Sequence, residues 1–296
     1  MGSTTKFILL QASIVFNNQR SMFDDKYQDT KEGRNEAFRD VINQFIENKM
    51  IKINPRMSEY ILLYKNTITE DILYAQLAKK MEMQAYPLRG NNIQSQNIES
   101  YPPLDVFINL KTQQFAVQLN SSILSVSAIE TNIKNLINSL VKGYSIFVNS
   151  VQDKKEFWSI INQDDEVQEI SFDLIVPNLF EATEAAKDLV DDSKKNLNAD
   201  SVALSFKNKN GKLLLNMPSI NSFVSYSSST GSWKVKIRRK GEKKYKVFKS
   251  ADFSLKRDVD DAIIEAVRTM NSNYQIEMDV VDTLISKLYG LFSYEE

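Results

Sequence analysis

At 296 residues, 42% hydrophobic and 25% charged, the chain can bury one large core or two ordinary ones. Its 37 basic and 38 acidic residues leave a formal charge of −1, so only local charge clusters can point to a partner. It has no cysteine and no histidine, which excludes disulfides, zinc–thiolate and iron–sulfur sites, thiol nucleophiles, histidine-based triads and histidine-ligated metals, and leaves only carboxylate sites for magnesium or calcium.

The eight glycines are too far apart to make a dinucleotide or P-loop phosphate cradle, and no cofactor is expected. No apolar run approaches the ~20 residues that span a bilayer. The first residues have neither the shape of a signal peptide nor a myristoylation signal. The sequence reads as cytoplasmic, with no membrane insertion.

In chain order, residues 6–16 suit a buried strand. Ala37, Phe38, Val41, Ile42, Phe45 and Ile46 recur at helical spacing over 34–49. A strand is expected at 58–65. Ile72, Leu73, Leu77 and Met81 suggest a helix over 70–84. Residues 87–103, with Gly90 and Pro102-Pro103, read as a loop. Leu104–Leu110 and Gln114–Asn120 form a hairpin. Ser127-Ala128-Ile129-Glu130 fits a capping box opening a helix that Gly143 stops. A strand at 144–148 and a short helix at 154–161 follow.

The acidic stretch Gln163-Asp164-Asp165-Glu166 reads as a boundary, dividing the chain into 1–163 and 164–296. Beyond it come a strand at 167–176, a helix at 179–195, and a hairpin of Ser201–Phe206 with Leu213–Asn216 around Asn208-Lys209-Asn210-Gly211. Ser225–Ser232 reads as a polar loop. A second hairpin spans Trp233–Phe248, and helices close the chain at about 257–270 and 278–292. This order argues for an α+β fold of antiparallel sheets with packed helices, in two halves that could be related.

The sharpest functional signal is the second hairpin. Between Lys234 and Lys249 lie Lys234, Lys236, Arg238, Arg239, Lys240, Lys243, Lys244, Lys246 and Lys249, against Glu242 alone, a local charge of +8. Strand alternation sets Lys234, Lys236 and Arg238 opposite Trp233, Val235 and Ile237, and sets Lys244 and Lys246 apart from Tyr245 and Val247. Such a ribbon suits a phosphate backbone, DNA more than RNA, with Trp233 and Tyr245 as possible stacking residues. The same residues also fit a solvated edge hairpin kept soluble by lysines, or a contact for an acidic protein.

Glu242-Lys243-Lys244 matches the end of a magnesium-dependent nuclease motif, but it falls in a turn. The pairs Asp24-Asp25, Asp191-Asp192 and Asp260-Asp261 read as solvated loops or helix ends, and no metal site is expected. Trp158 reads as core. The last helix carries an apolar stripe, Leu284, Ile285, Leu288 and Phe292, suited to a homodimer contact.

Glu156-Phe157-Trp158, Glu169-Ile170-Ser171-Phe172, Val176-Pro177-Asn178-Leu179-Phe180 and Gly231-Ser232-Trp233-Lys234-Val235-Lys236 resemble a bacterial family found among phage-defence and prophage-borne genes. Over about residues 100–270 the layout is distantly similar to RexA-like components of prophage exclusion systems. That resemblance implies a dimeric DNA-binding protein of phage–host conflict, in phage exclusion or abortive infection, and it transfers no catalytic residue; a protein encoded nearby is a further candidate partner. A protein–protein module, such as a phage-encoded inhibitor, and a magnesium-dependent nuclease are the competing readings.

Overall fold

A computed structural model of the chain describes residues 3–16, 27, 30–85, 87–90, 92–93, 95–152, 154–175, 184–197, 199–215, 217–270 and 278–290. Their elements run β1 (Thr4–Phe16), α1 (Lys31–Asn48), β2 (Met50–Ile53), β3 (Tyr60–Thr69), β4 (Ile72–Lys79), β5 (Met81–Ala85), β6 (Leu88–Arg89), β7 (Asn92–Ile93), β8 (Gln96–Ser100), β9 (Pro103–Asn109), β10 (Gln114–Gln118), α2 (Val126–Asn138) and β11 (Tyr144–Ser150). They continue with α3 (Lys154–Ser159), β12 (Glu166–Ile175), α4 (Glu184–Leu197), β13 (Ser201–Lys207), α5 (Pro218–Ser229), β14 (Gly231–Arg238), β15 (Lys246–Lys249), β16 (Lys256–Asp260), α6 (Asp261–Arg268) and α7 (Met278–Tyr289). The fold is α+β with antiparallel strand pairing in its sheets. No helix of the described residues is long and apolar enough to cross a membrane.

The larger sheet has the order β11-β1-β10-β9-β4-β3-β2, with β16 also on β1. One face carries Leu10, Ile14, Leu73 and Val106 and is covered by α1 and α2 through Phe38, Phe45, Ile133 and Leu136. The other carries Phe7, Leu9, Tyr74 and Phe107 against Ile264, Val267, Leu284 and Leu288 of α6 and α7. The helix expected over 70–84 is instead strand, β4 and β5, and burial on both faces accounts for the β4 part. Between β3 and β9 every early side chain of β4 is inside, so no two-residue alternation shows.

α1 starts where Thr30 Oγ1 accepts a hydrogen bond from Gly33 N at 3.1 Å. α2 starts two residues before the expected capping box, at Ser125, whose Oγ accepts from Ala128 N at 3.3 Å. Glu130 is thereby freed from capping and accepts from Ser150 N at 2.7 Å. Burial pushes the Glu130 carboxyl above its ordinary value of 4.5, against the pull of that hydrogen bond. A carboxyl raised on folding favours the fold below pH 4.5, and that contribution is lost as the pH rises through its folded value. Glu130→Gln is therefore expected to raise the melting temperature at neutral pH, with the gain vanishing below pH 4.5 in melts run across the acid range.

The smaller sheet, β13-β12-β14-β15, has its own core. Phe157 of α3, Ala186 and Val190 of α4, and Ile220, Phe223 and Val224 of α5 close over Ile170, Phe172, Trp233 and Val235. Gly231 opens β14 because a Cβ there would lie 2.3 Å from the Asp173 carbonyl oxygen. Ser225–Ser232 is not a loop. Pro218 starts α5, and the Ser227 and Ser228 hydroxyls donate back to the Val224 carbonyl at 3.2 and 2.8 Å, so the serines sit buried on a helix. The turn at Asn208–Gly211 forms, but of the expected return strand the described residues 213–215 do not pair back on β13, and Asn216 lies outside the described residues. Leu213 N instead donates to Val167 O at 3.3 Å.

The acidic stretch at 163–166 lies within the segment that builds the smaller core, since Phe157 and Ile160 before it belong to that core, and the chain later returns to the larger sheet. β16 pairs with β1 from Thr4↔Asp260 to Ile8↔Lys256, so residues 256–270 and 278–290 complete the first sheet rather than continuing the second half.

Candidate nucleic-acid interface

The basic hairpin forms as β14 and β15. Val235 and Ile237 are fully buried and Trp233 is 2% exposed, leaving Lys234, Lys236 and Arg238 on the outer face. The register places Val247 opposite Lys236 and Lys249 opposite Lys234. Lys246 lies opposite Ile237 instead, so it does not share the face of Lys236 as its spacing from Lys244 implied. The seven residues of the connection reset the alternation, and its Nζ turns back to Glu242 Oε1 at 2.6 Å.

Much of the charge is already answered. Arg238 meets Glu166 at 2.5 Å, Arg239 meets Asp165 at 2.5 Å, and Lys240 meets Asp164 at 2.9 Å. Glu169 lies 3.4 Å from Lys207 and 3.8 Å from Lys234. Burial works to raise the Glu169 carboxyl, but the two ammoniums outweigh it and hold it below the usual carboxylate range. The hydrogen bond that Arg238 donates to Glu166 raises the guanidinium further above its already high value. The acidic residues that the sequence marked as a boundary are thus the counter-ions of the hairpin. Their opposite sign, in a chain of near-zero net charge, was the signal available for pairing the two segments.

Lys236, Lys243, Lys244 and Lys249 form no ion pair among the described residues. Counting Lys207 and Lys212 beside the hairpin, eleven cations face the six carboxylates Asp164, Asp165, Glu166, Glu169, Glu242 and Asp252, leaving about +5 around the hairpin. Tyr245 is half-buried. Lys236 Nζ and the Arg238 guanidinium stand 5.6 and 5.1 Å from its ring centre, and its hydroxyl lies 3.3 Å from Glu166.

Trp233 cannot stack on a base: it packs edge-on to Phe157 at 5.1 Å and parallel to Phe253 at 5.8 Å inside the smaller core. The expected dimer stripe is corrected as well. Leu284 and Leu288 are 1% and 0% exposed, and Ile285 packs on the same internal cluster against the first sheet, while Phe292 lies outside the described residues. The helix is apolar there because it covers its own chain. Asp260 pairs with Lys287, and Asp261 accepts from Thr5 Oγ1 at 2.7 Å. Asp24-Asp25 lie outside the described residues. Among the described residues no three acidic side chains converge to hold a metal ion.

Fold and surface together define an α+β protein whose smaller sheet ends in a partly neutralised cationic ribbon. Residues 106–263 match the family described as Domain of unknown function (DUF4747), and since this is more than half of the chain, the protein belongs to that family. The matched span runs from β9 into α6 and contains the whole smaller sheet and its hairpin. A search of curated proteins found no match.

Proposed function

We propose that the protein binds nucleic acid, DNA in preference to RNA, through the outer face and turn of the β14–β15 hairpin. One observation carries the reading: Lys234 and Lys249 stand directly opposite each other, with Lys236 next in line, on an exposed sheet face. Like charges opposed across strands are destabilising in water; Glu169, 3.8 Å from Lys234, answers that repulsion in part, and a phosphate placed between the two lysines relieves the rest. The cations free of ion pairs are lysines, which supply point charge without the bidentate fork that reads guanine, so little sequence preference is expected. The resemblance to prophage exclusion proteins supports the same reading and sets it in phage–host conflict, with a second copy of the chain as partner.

A contact for an acidic protein is the second reading. It is favoured by Asp164, Asp165 and Glu166, which already engage three successive hairpin cations. Fluorescence anisotropy on labelled duplex, followed against salt, separates the two. Four free lysines predict a log–log slope of about −4 per chain, at roughly −0.9 per phosphate neutralised. Absence of binding at low salt would move the acidic partner to first place.

A further inference from the structure

β4 to β9 pair as three successive sections of one two-stranded ribbon. β4 pairs β9 from Ile72↔Asn109 to Ala78↔Pro103, β5 pairs β8 from Met81↔Ser100 to Ala85↔Gln96, and β6 pairs β7 at Leu88↔Ile93 and Arg89↔Asn92. The two residue numbers of every one of these pairs sum to 181, so the three sets of rungs share one register, and Gly90 takes φ +61°. Tyr60↔Lys79 is the last rung with β3, and Val117↔Val106 the last with β10. Among the described residues the ribbon beyond Lys79 has no strand on either side. Ten steps from Lys80 to Gly90, at about 3.3 Å each, make an arm about 30 Å long.

The arm is amphipathic. One face carries Met83 opposite Ile98, 50% and 41% exposed, between the Met81↔Ser100 and Ala85↔Gln96 rungs. The other carries Glu82 opposite Glu99 and Gln84 opposite Asn97. Its root is fixed by the Lys80–Glu99 ion pair and by the Tyr101 hydroxyl, which donates to Glu59 Oε1 at 2.7 Å. A two-stranded ribbon of this kind is marginal alone in water, and its apolar face calls for a cover.

We infer that the arm reaches onto a second copy of this chain, which returns its own arm. Nucleic acid does not fit, because Lys80 and Arg89 cancel Glu82 and Glu99 and the arm has no net charge. Area decides between a second copy and an unrelated protein. A face about 30 Å by 10 Å covers about 300 Å², so one arm on a foreign surface buries only about 600 Å² in total, the size of an incidental contact. Two arms exchanged about a two-fold axis bury about 1,200 Å², the lower bound of a specific interface. The receiving surface lies on the same sheet. Met50 opposite Leu63, and Ile61 opposite Ala78, bring four apolar residues together on one face at the β2–β3 edge, flanked by Gln76 opposite Leu63 and by Lys52 opposite Ile61, which pairs with Glu59; Met50 is 49% exposed and the other three apolar residues are half-buried.

The full-length chain, studied by light scattering at micromolar concentration, tests this. Wild type is expected at twice 34.0 kDa, and Met83→Glu/Ile98→Glu at 34.0 kDa with unchanged circular dichroism. Because the chain has no cysteine, a second measurement is clean: Met83→Cys and Met50→Cys chains, mixed and oxidised, are expected to form a disulfide-linked pair. A wild-type monomer overturns the inference, as does an undiminished dimer in the double variant. Should the double variant fail to fold, absence of the disulfide-linked pair overturns it. A variant that keeps its mass but loses nucleic-acid affinity overturns it too, and assigns the arm to nucleic acid.

Discussion

Replacing Lys236, Lys243, Lys244 and Lys249 with glutamate is expected to abolish binding to duplex DNA while leaving the fold intact. These four form no ion pair among the described residues, so their removal breaks no intramolecular contact of that kind. Exposed ion pairs contribute little to stability in any case. Binding is a different matter. Four phosphate contacts make wild-type affinity fall roughly two orders of magnitude for a fourfold rise in salt, and charge reversal turns each attraction into a repulsion. The contrast is with Arg238, Arg239 and Lys240, which are held by Glu166, Asp165 and Asp164 and must first give up those carboxylates to reach a phosphate. Substituting that trio should cost markedly less affinity. If anisotropy shows the folded fourfold variant binding as tightly as wild type, the hairpin is a solvated edge and the proposed function fails.

Trp233→Ala is expected to cost about 3–5 kcal/mol of stability, the range for deleting a large buried aromatic. For a chain of this size that is a fall of about 10 °C or more in melting temperature. The side chain is 2% exposed, wedged between Phe157 and Phe253, and its own backbone N–H donates to Ser250 Oγ at 3.3 Å. Measured below its melting temperature, the variant should still bind nucleic acid. Urea titration and anisotropy on the same sample check both halves. Lost affinity at undiminished stability would mean that the indole meets a base after all.

Several elements were legible in the sequence: α1 and β14, each with one buried face, and β1 and the β9–β10 hairpin, as short apolar runs, lie close to where the pattern put them. Misreadings fall where periodicity is masked. β4 is inside on both faces, so its apolar residues mimic a helical stripe. α5 hides in serines whose hydroxyls bond to its own backbone. The tip and returning half of the arm, β6 to β8, has so few apolar residues that it reads as loop, while β5 was absorbed into the expected helix. At the site, the cationic hairpin was plain from local sequence. The phase of Lys246 was not, because alternation does not survive a seven-residue connection. Nor were the counter-ions, because Asp164 and Lys240 lie 76 residues apart and meet only through the β12–β14 register.

The pairing of β1 with β16 also governs the order in which the chain can assemble during synthesis. Residues 4–8 leave the ribosome early, yet their partners at 256–260 come some 250 residues later. Until then Phe7 and Leu9 lack the cover that Val259, Ile264 and Leu284 give them. The smaller sheet, whose core draws on residues 157–253, can close first, as a finished insert held between two ends of an unfinished sheet. Long-range closure of this kind is slow, so the nascent chain carries an open apolar face for most of its translation. A demand on holding chaperones is therefore built into the topology itself.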